Sequence, residues 1–176
     1  MTDSSTCDLC DSHKAGLLTA DDDAFRVLPP VFHSYGGRAK FSGPVLTVKC
    51  FEDNTVLKAA VESDGRIETT AGAVGQVLVV DGGGSVRRAL LGGNLAAAAA
   101  RNGWAGLVID GAVRDCAELA ACDVGIRALA LIPLPTDRRG EGQRGLPVQI
   151  QGVWVRSGDW LVADADGIVV LPAPAG

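Results

Sequence analysis

Residues 76–118 read QVLVVDGGGSVRRALLGGNLAAAAARNGWAGLVIDGAVRDCAE. Gln76 to Val80 is an unbroken apolar run of strand length, the pattern of a strand buried on both faces. Asp81-Gly82-Gly83-Gly84-Ser85 follows as a turn. Val86 to Arg101 then has the composition of a helix, and its alanine run Ala96 to Ala100 reads as a tightly packed segment. Gly103-Trp104 ends it, Gly106 to Ile109 repeats the buried-strand pattern, and Arg114 to Ala121 predicts a short helix. Strand, helix, strand, helix is the alternation of a parallel α/β sheet.

The same texture extends outward on both sides. Val45 to Cys50 reads as a strand, Asn54 to Glu62 as a helix, and Ile126 to Ile132 as a further buried strand. Beyond Pro133 the character shifts. Thr136 to Gly145 is a charged, glycine-containing loop, followed by short β runs at Val148 to Ile150, Val153 to Arg156, Trp160 to Ala163 and Ile168 to Leu171. Ser157-Gly158-Asp159 and Asp166-Gly167 punctuate these as hairpin turns. Residues 1–40 are polar and irregular, with both histidines, the acidic run Asp21-Asp22-Asp23 and the turn-like pairs Pro29-Pro30 and Gly36-Gly37. They predict a short helix and a wrapping arm. We therefore expect one α/β domain over residues 1–176, its core at 43–171, with antiparallel strands after the parallel ones. At 176 residues and 47% apolar, such a chain buries about two-thirds of its unfolded surface.

A formal charge of −5 argues against a general polyanion binder, since phosphate contacts need an excess of Lys and Arg. Direct nucleic-acid binding is not expected. Cys7, Cys10, Cys50, Cys116 and Cys122 form an odd, irregularly spaced set, unlike a secreted disulfide scaffold, which points to a reducing, cytoplasmic compartment. Met1 to Leu9 has neither a basic start nor an apolar stretch, so no signal peptide is expected. No apolar run approaches the roughly 20 residues of a membrane span, and no membrane partner is expected.

Several motifs compete for the chemistry. Gly82-Gly83-Gly84 could line a ligand cleft or form an ordinary βα turn, but Arg87 stands where a dinucleotide fingerprint needs its third glycine, and no phosphate-loop Lys follows. Cys7-x-x-Cys10 supplies only two of four zinc ligands. His13 and His33 lie in the polar arm without a nucleophile elbow. Lys49 reads as an outward strand residue before a desolvated Schiff-base lysine. Asp164-x-Asp166-Gly167 lacks the remaining ligands of a calcium loop and reads as a turn. The richest segment runs from Gly92 to Glu118. Its Arg114-Asp115 pair falls past the end of a parallel-type strand, where α/β sheets place ligands. Asp115 and Glu118, three apart, fall on one helical turn. Two carboxylates suit Mg²⁺ or Mn²⁺, and Arg114 offers a fork for a substrate carboxylate. The same Arg-Asp pair is also a favourable charge arrangement at a helix start.

Phe32 to Asn54 (FHSYGGRAKFSGPVLTVKCFEDN), Val77 to Ala89 (VLVVDGGGSVRRA) and Gly103 to Glu118 (GWAGLVIDGAVRDCAE) closely resemble the regulator of ribonuclease activity A family. The likeness continues to Asp164-Ala165-Asp166-Gly167-Ile168. That family is related to class II aldolases that cleave 4-hydroxy-4-methyl-2-oxoglutarate into two pyruvates. The resemblance implies a swivelling-type β/β/α domain assembled into a ring-shaped homotrimer. In the aldolase branch an Arg-Asp pair and a carboxylate three residues later follow an earlier glycine loop; here these are Arg114, Asp115, Glu118 and Gly92 to Leu95. By that resemblance Asp115 holds a divalent cation, Mg²⁺ or Mn²⁺, and Glu118 supports it through water. Arg114 binds the oxo-carboxylate end of a small 2-oxo acid, and the backbone N–H groups of Gly92, Gly93, Asn94 and Leu95 complete the pocket. The regulator that gives the family its name has lost the metal-binding acid, which this chain keeps as Asp115.

Two activities follow as expectations. One is metal-assisted retro-aldol cleavage, with oxaloacetate decarboxylation through the same pyruvate enolate. Asp110 is a candidate base, the alternative being a structural strand-end Asp. The other is docking on, and inhibition of, an endoribonuclease of the ribonuclease E type. Aldolase members often carry an acid just after the first glycine of the loop, where this chain has Gly93. The chain also stops soon after Leu171, without the extension through which some aldolases lend a carboxylate to a neighbouring subunit. Both departures bear on turnover more than on binding.

Overall fold

The computed structural model describes residues 4–14, 25–70 and 72–172; the acidic run Asp21-Asp22-Asp23 lies outside them. In chain order the elements are α1 (Thr6–His13), β1 (Arg26–Val27), β2 (His33–Ser34), β3 (Phe41–Lys49), α2 (Thr55–Val61), β4 (Arg66–Thr69), β5 (Gly72–Gly75), β6 (Val77–Leu91), α3 (Gly93–Arg101) and β7 (Gly106–Val113). Then come α4 (Cys116–Ala121), β8 (Gly125–Leu131), β9 (Gln143–Arg144), β10 (Val148–Ile150), β11 (Val153–Val155), β12 (Trp160–Ala163) and β13 (Ile168–Leu171).

β3, β6, β7 and β8 pair side by side in parallel, as the apolar runs imply. Alternate side chains of these strands serve two different cores, because successive residues point to opposite faces. Leu78, Val80, Leu107 and Ile109 pack with Leu57, Ala96, Ala99 and Leu119 from the helices. Val77, Val79 and Val108 pack with Val148, Ile150, Val155, Leu161 and Val170 from the antiparallel strands. The parallel strands are thus sandwiched between helices and antiparallel strands, and the period-2 pattern carries apolar residues on both faces. The sheet continues from the first half of β3 through β12 and β13 to β1, all antiparallel.

The N-terminal helix forms as expected. Ser5 and Asp8 make a reciprocal capping box, and Asp164 at the β12–β13 turn accepts hydrogen bonds from the Thr6 N–H and hydroxyl, both at 2.7 Å. Asp164-x-Asp166-Gly167 is therefore a hairpin turn that also anchors α1.

Three expectations need correction. The stretch Val86 to Leu91 is strand, and the helix starts only at Gly93. The Gly82–Gly84 run does not open a helix either. With Gly83 and Gly84 at φ 66° and 67°, residues 82–84 bulge out between the pairs Asp81↔Asp110 and Ser85↔Gly111. The left-handed conformation that glycine tolerates makes the bulge possible. VRRALL has good helix propensity, but tertiary partners override it. Arg87 pairs with Glu52 at 2.7 Å, Arg88 approaches Asp137 at 3.6 Å, and Leu90 and Leu91 are buried. Second, Ser157-Gly158-Asp159 is a turn but not a hairpin, since β11 pairs with β10 and β12 with β3 and β13. The hairpin lies at Gln151-Gly152, both at positive φ (48° and 83°), as a type I′ turn requires. Third, α4 begins at Cys116, and Asp115 precedes it in the left-handed region with φ 62° and ψ 48°. The β4–β5 hairpin has no counterpart in the sequence reading.

Candidate active site

β6 and β7 end side by side, with Leu91 opposite Val113 and the Arg114 N–H donating to the Leu91 carbonyl at 3.0 Å. Each chain then turns into a helix. Gly92 leads into α3, and Arg114-Asp115 lead into α4, so the two turns meet at the carboxyl end of the parallel strands.

Asp115 joins them. Its Oδ2 accepts the Gly93 N–H at 3.0 Å, so it satisfies a donor in the first turn of a helix that Gly92 cannot cap with a side chain. Gly92 and Gly93 are glycines because carboxylates press on them. A Cβ at Gly92 would lie 2.6 Å from Asp115 Oδ2, and one at Gly93 would lie 2.7 Å from the Glu118 Cβ and inside its carboxylate. Close approach, rather than backbone conformation, dictates both residues. Asp115 and Glu118 are thus brought together around the α3 N-terminus, though by the turn at Asp115 and not by one continuous helix.

Arg114 Nε lies 3.5 Å from Asp115 Oδ2, with side-chain exposures of 40% and 34%, so both are open to a ligand. They line a cleft of about 790 Å³ with Gly92, Asn94 and Leu95, within the usual range of small-molecule sites. Asn94 lies in the first turn of α3, where the Gly93 N–H goes to Asp115 and the Leu95 N–H to the Gly92 carbonyl at 3.1 Å, so two of the four N–H groups expected to complete the pocket are engaged within the chain. The cleft also takes in Asn54, Lys58, Arg101 and Arg138, which the sequence reading did not single out. Its four cations, Lys58, Arg101, Arg114 and Arg138, face two acids, Glu62 and Asp115. An anionic ligand fits that balance.

Asp110 is not among the residues lining this cleft. It is buried, opposite Asp81 in the ladder, and its Oδ1 accepts from Gln151 Nε2 at 2.7 Å. Burial raises its pKa above the usual carboxylate range, and Asp81 adds to that; the Gln151 amide and the Gly84 N–H act in the opposite sense. Lys49 is exposed and paired with Asp81 at 2.9 Å. His13 stacks on Phe25, and His33 meets the edge of Tyr35. All five cysteines are free thiols. Among the described residues no helix is long and apolar enough to cross a membrane.

The architecture and the cleft define a mixed α/β protein of one domain with a cation-rich cleft at its parallel strand ends. The chain belongs to the Aldolase/RraA family, whose pattern it matches over residues 6–170. It is 70% identical to a protein of Albidiferax ferrireducens named "Putative 4-hydroxy-4-methyl-2-oxoglutarate aldolase", over 94% of this chain and 93% of that one. A protein of the same name in Burkholderia multivorans is 50% identical over 94% of each chain. Among solved structures, the RNA-processing inhibitor RraA of Thermus thermophilus superposes with a TM-score of 0.85 at 43% identity, covering 99% of this chain and 96% of that one.

Proposed function

We propose that the protein is a divalent-metal-dependent class II aldolase that splits 4-hydroxy-4-methyl-2-oxoglutarate into two pyruvates and also decarboxylates oxaloacetate. In this reading it acts in the cytoplasm as a ring-shaped homotrimer of swivelling β/β/α domains. One observation carries the proposal: Arg114 and Asp115 line a cation-rich cleft at the N-terminus of α3, where Glu118 packs over Gly93. The names of the 70% and 50% identical relatives support it.

The donor set fits Mg²⁺ or Mn²⁺. Asp115 Oδ1 makes no hydrogen bond among the described residues, Glu118 stands beside it, and no group of three or more His, Cys, Asp or Glu side chains forms there. Ions that keep several waters and take few carboxylates suit such a site. Asp115 would hold the cation and Glu118 would support it through water, and the cation would act as a Lewis acid towards the 2-oxo group. Arg114 and the Asn94 N–H orient the substrate's 2-oxo-carboxylate end. Glu118, seated over Gly93 beside the cleft and not among the residues that line it, is the carboxylate we assign to take the C4 hydroxyl proton. The C3–C4 bond then breaks, C4 becomes the carbonyl carbon of one pyruvate, and the electron pair remains on the other product as an enolate. Arg114 stabilises the charge on that enolate, which is protonated at C3. Loss of CO₂ from oxaloacetate gives the same enolate.

A pyruvate-release assay with both substrates tests this, with and without chelator, on wild type and Asp115→Ala. Chelator-sensitive release that Asp115→Ala abolishes supports the reading, and release unchanged by either perturbation refutes it. The 43% identical RNA-processing inhibitor favours a second reading, docking on an endoribonuclease of the ribonuclease E type. That reading requires a complex at micromolar concentrations and inhibition that survives Asp115→Ala.

A further inference from the structure

The four cations of the cleft differ in what else they do. Arg114 lies against Asp115, and Lys58 is held by Glu62 at 2.5 Å. Arg101 belongs to the last turn of α3, where its charge complements the helix dipole. It lies about 12 Å along the axis from Gly93. The two carboxyl carbons of a five-carbon 2-oxo diacid are only about 5 Å apart.

Arg138 makes no ion pair or side-chain hydrogen bond among the described residues, yet the loop that carries it is fastened on both sides. Before it, the Ala89 N–H donates to Leu134 O and the Thr136 N–H to Ala89 O, while the Thr136 hydroxyl donates to Glu52 O. After it, the Arg139 N–H donates to the Asp53 carboxylate, and the Arg139 side chain sits between Asp137 and Glu141 at 3.6 and 3.3 Å. Its neighbours are thus committed to holding the loop, and Arg138 is left among the residues that line the cleft. The anchor ties this loop to Ala89, which lines the same cleft as Gly92.

We propose that Arg138 binds the substrate carboxylate remote from the 2-oxo group and makes the cleft selective for 2-oxo dicarboxylates over 2-oxo monocarboxylates. A planar fork on an anchored loop suits that role, because little freedom is lost when it closes on a carboxylate. The inference rests on the site reading above and adds the recognition of the second charge. It concerns binding and takes no part in the bond-breaking step.

Calorimetric titration of the full chain in Mn²⁺, with 2-oxoglutarate and with pyruvate, tests it. Arg138→Ala should weaken 2-oxoglutarate about tenfold or more and leave pyruvate within about twofold. Arg138→Lys should restore part of the loss, since it keeps the charge and loses the fork. Equal weakening of both ligands, or of neither, overturns the assignment. Arg114→Ala separates the two levels of the argument. If it weakens both ligands while Arg138→Ala changes neither, only the Arg138 role falls. If it weakens neither, or if wild type binds neither ligand, the reading of the site falls with it.

Discussion

Asp115 should be structurally replaceable by Asn but not by Ala, and the difference can be worked out from its geometry. Its Oδ2 accepts the Gly93 N–H at the start of α3, and loss of such a cap costs about 1 kcal/mol. Its backbone is left-handed, at φ 62°, where Ala costs about 1–2 kcal/mol and Asn, whose short polar side chain can bond locally, costs little. Asp115→Ala should therefore lose about 2–3 kcal/mol. For a chain of this size that lowers Tm by roughly 4–12 °C. Asp115→Asn keeps the acceptor and the backbone preference and loses the attraction between charge and helix dipole, about 0.3–1 kcal/mol, with little more from the half-exposed pair to Arg114, or about 1–4 °C. Differential scanning calorimetry or urea unfolding of the two variants gives the comparison. Equal destabilisation would refute the argument, because the left-handed turn and the cap to Gly93 could not then both be present. The same comparison makes Asp115→Asn the cleaner probe of chemistry, since it removes the charge while keeping the turn.

Gly93→Ala should show a conflict between propensity and packing. Ala is worth about 1 kcal/mol over Gly in a helix, but its methyl would collide with Glu118, at about 1–3 kcal/mol for overpacking. The expected outcome is a neutral to destabilised protein by urea titration with sharply reduced pyruvate release, and a clear gain in stability would show that Glu118 does not sit over Gly93. Asp53 should govern acid stability: burial raises its pKa, but the Thr55 N–H and hydroxyl and the Arg139 and Glu141 N–H groups outweigh that and hold it at about 2. A depressed folded pKa means that its stabilisation is complete above the unfolded value of about 4 and fades as pH falls towards 2. Urea midpoints for wild type should fall across that window and Asp53→Asn should flatten the fall; parallel curves would remove Asp53 from the explanation. Cys50 is buried and its thiol is pushed up to about 12, by burial first and then by Asp81 and Asp53. At pH 8 maleimide should label the exposed Cys7 and Cys116 and spare Cys50 until the protein is denatured, and early modification of Cys50 in mass spectra would contradict its placement.

The parallel core was readable because Val77 to Val80 and Leu107 to Ile109 are short runs, apolar at consecutive positions and flanked by glycines, the pattern of a strand covered on both faces. The extension of β6 to Leu91 was not readable. VRRALL satisfies helix propensity, and its partners Glu52 and Asp137 lie 35 residues before Arg87 and 49 after Arg88. In the site, Arg114, Asp115 and Glu118 stood out by local spacing, and Gly92 to Leu95 by resemblance. What spacing could not show is why residues 92 and 93 are glycines, since the carboxylates that need the room lie more than 20 residues further along. Arg138 was hidden for a similar reason. Asp137, Arg138 and Arg139 look alike in a charged loop, and only the pairing of the outer two reveals which side chain is left to the cleft.

The central claim is that Asp115 and its neighbours form a site for a divalent cation and a 2-oxo acid together. Mn²⁺ titration followed by electron paramagnetic resonance, on wild type and Asp115→Asn, with and without pyruvate, tests it most directly. Wild type should bind Mn²⁺ and bind it more tightly when pyruvate is present, while folded Asp115→Asn should lose that binding. Mn²⁺ binding that is absent in wild type, or that is indifferent to both pyruvate and the loss of the Asp115 charge, would contradict it.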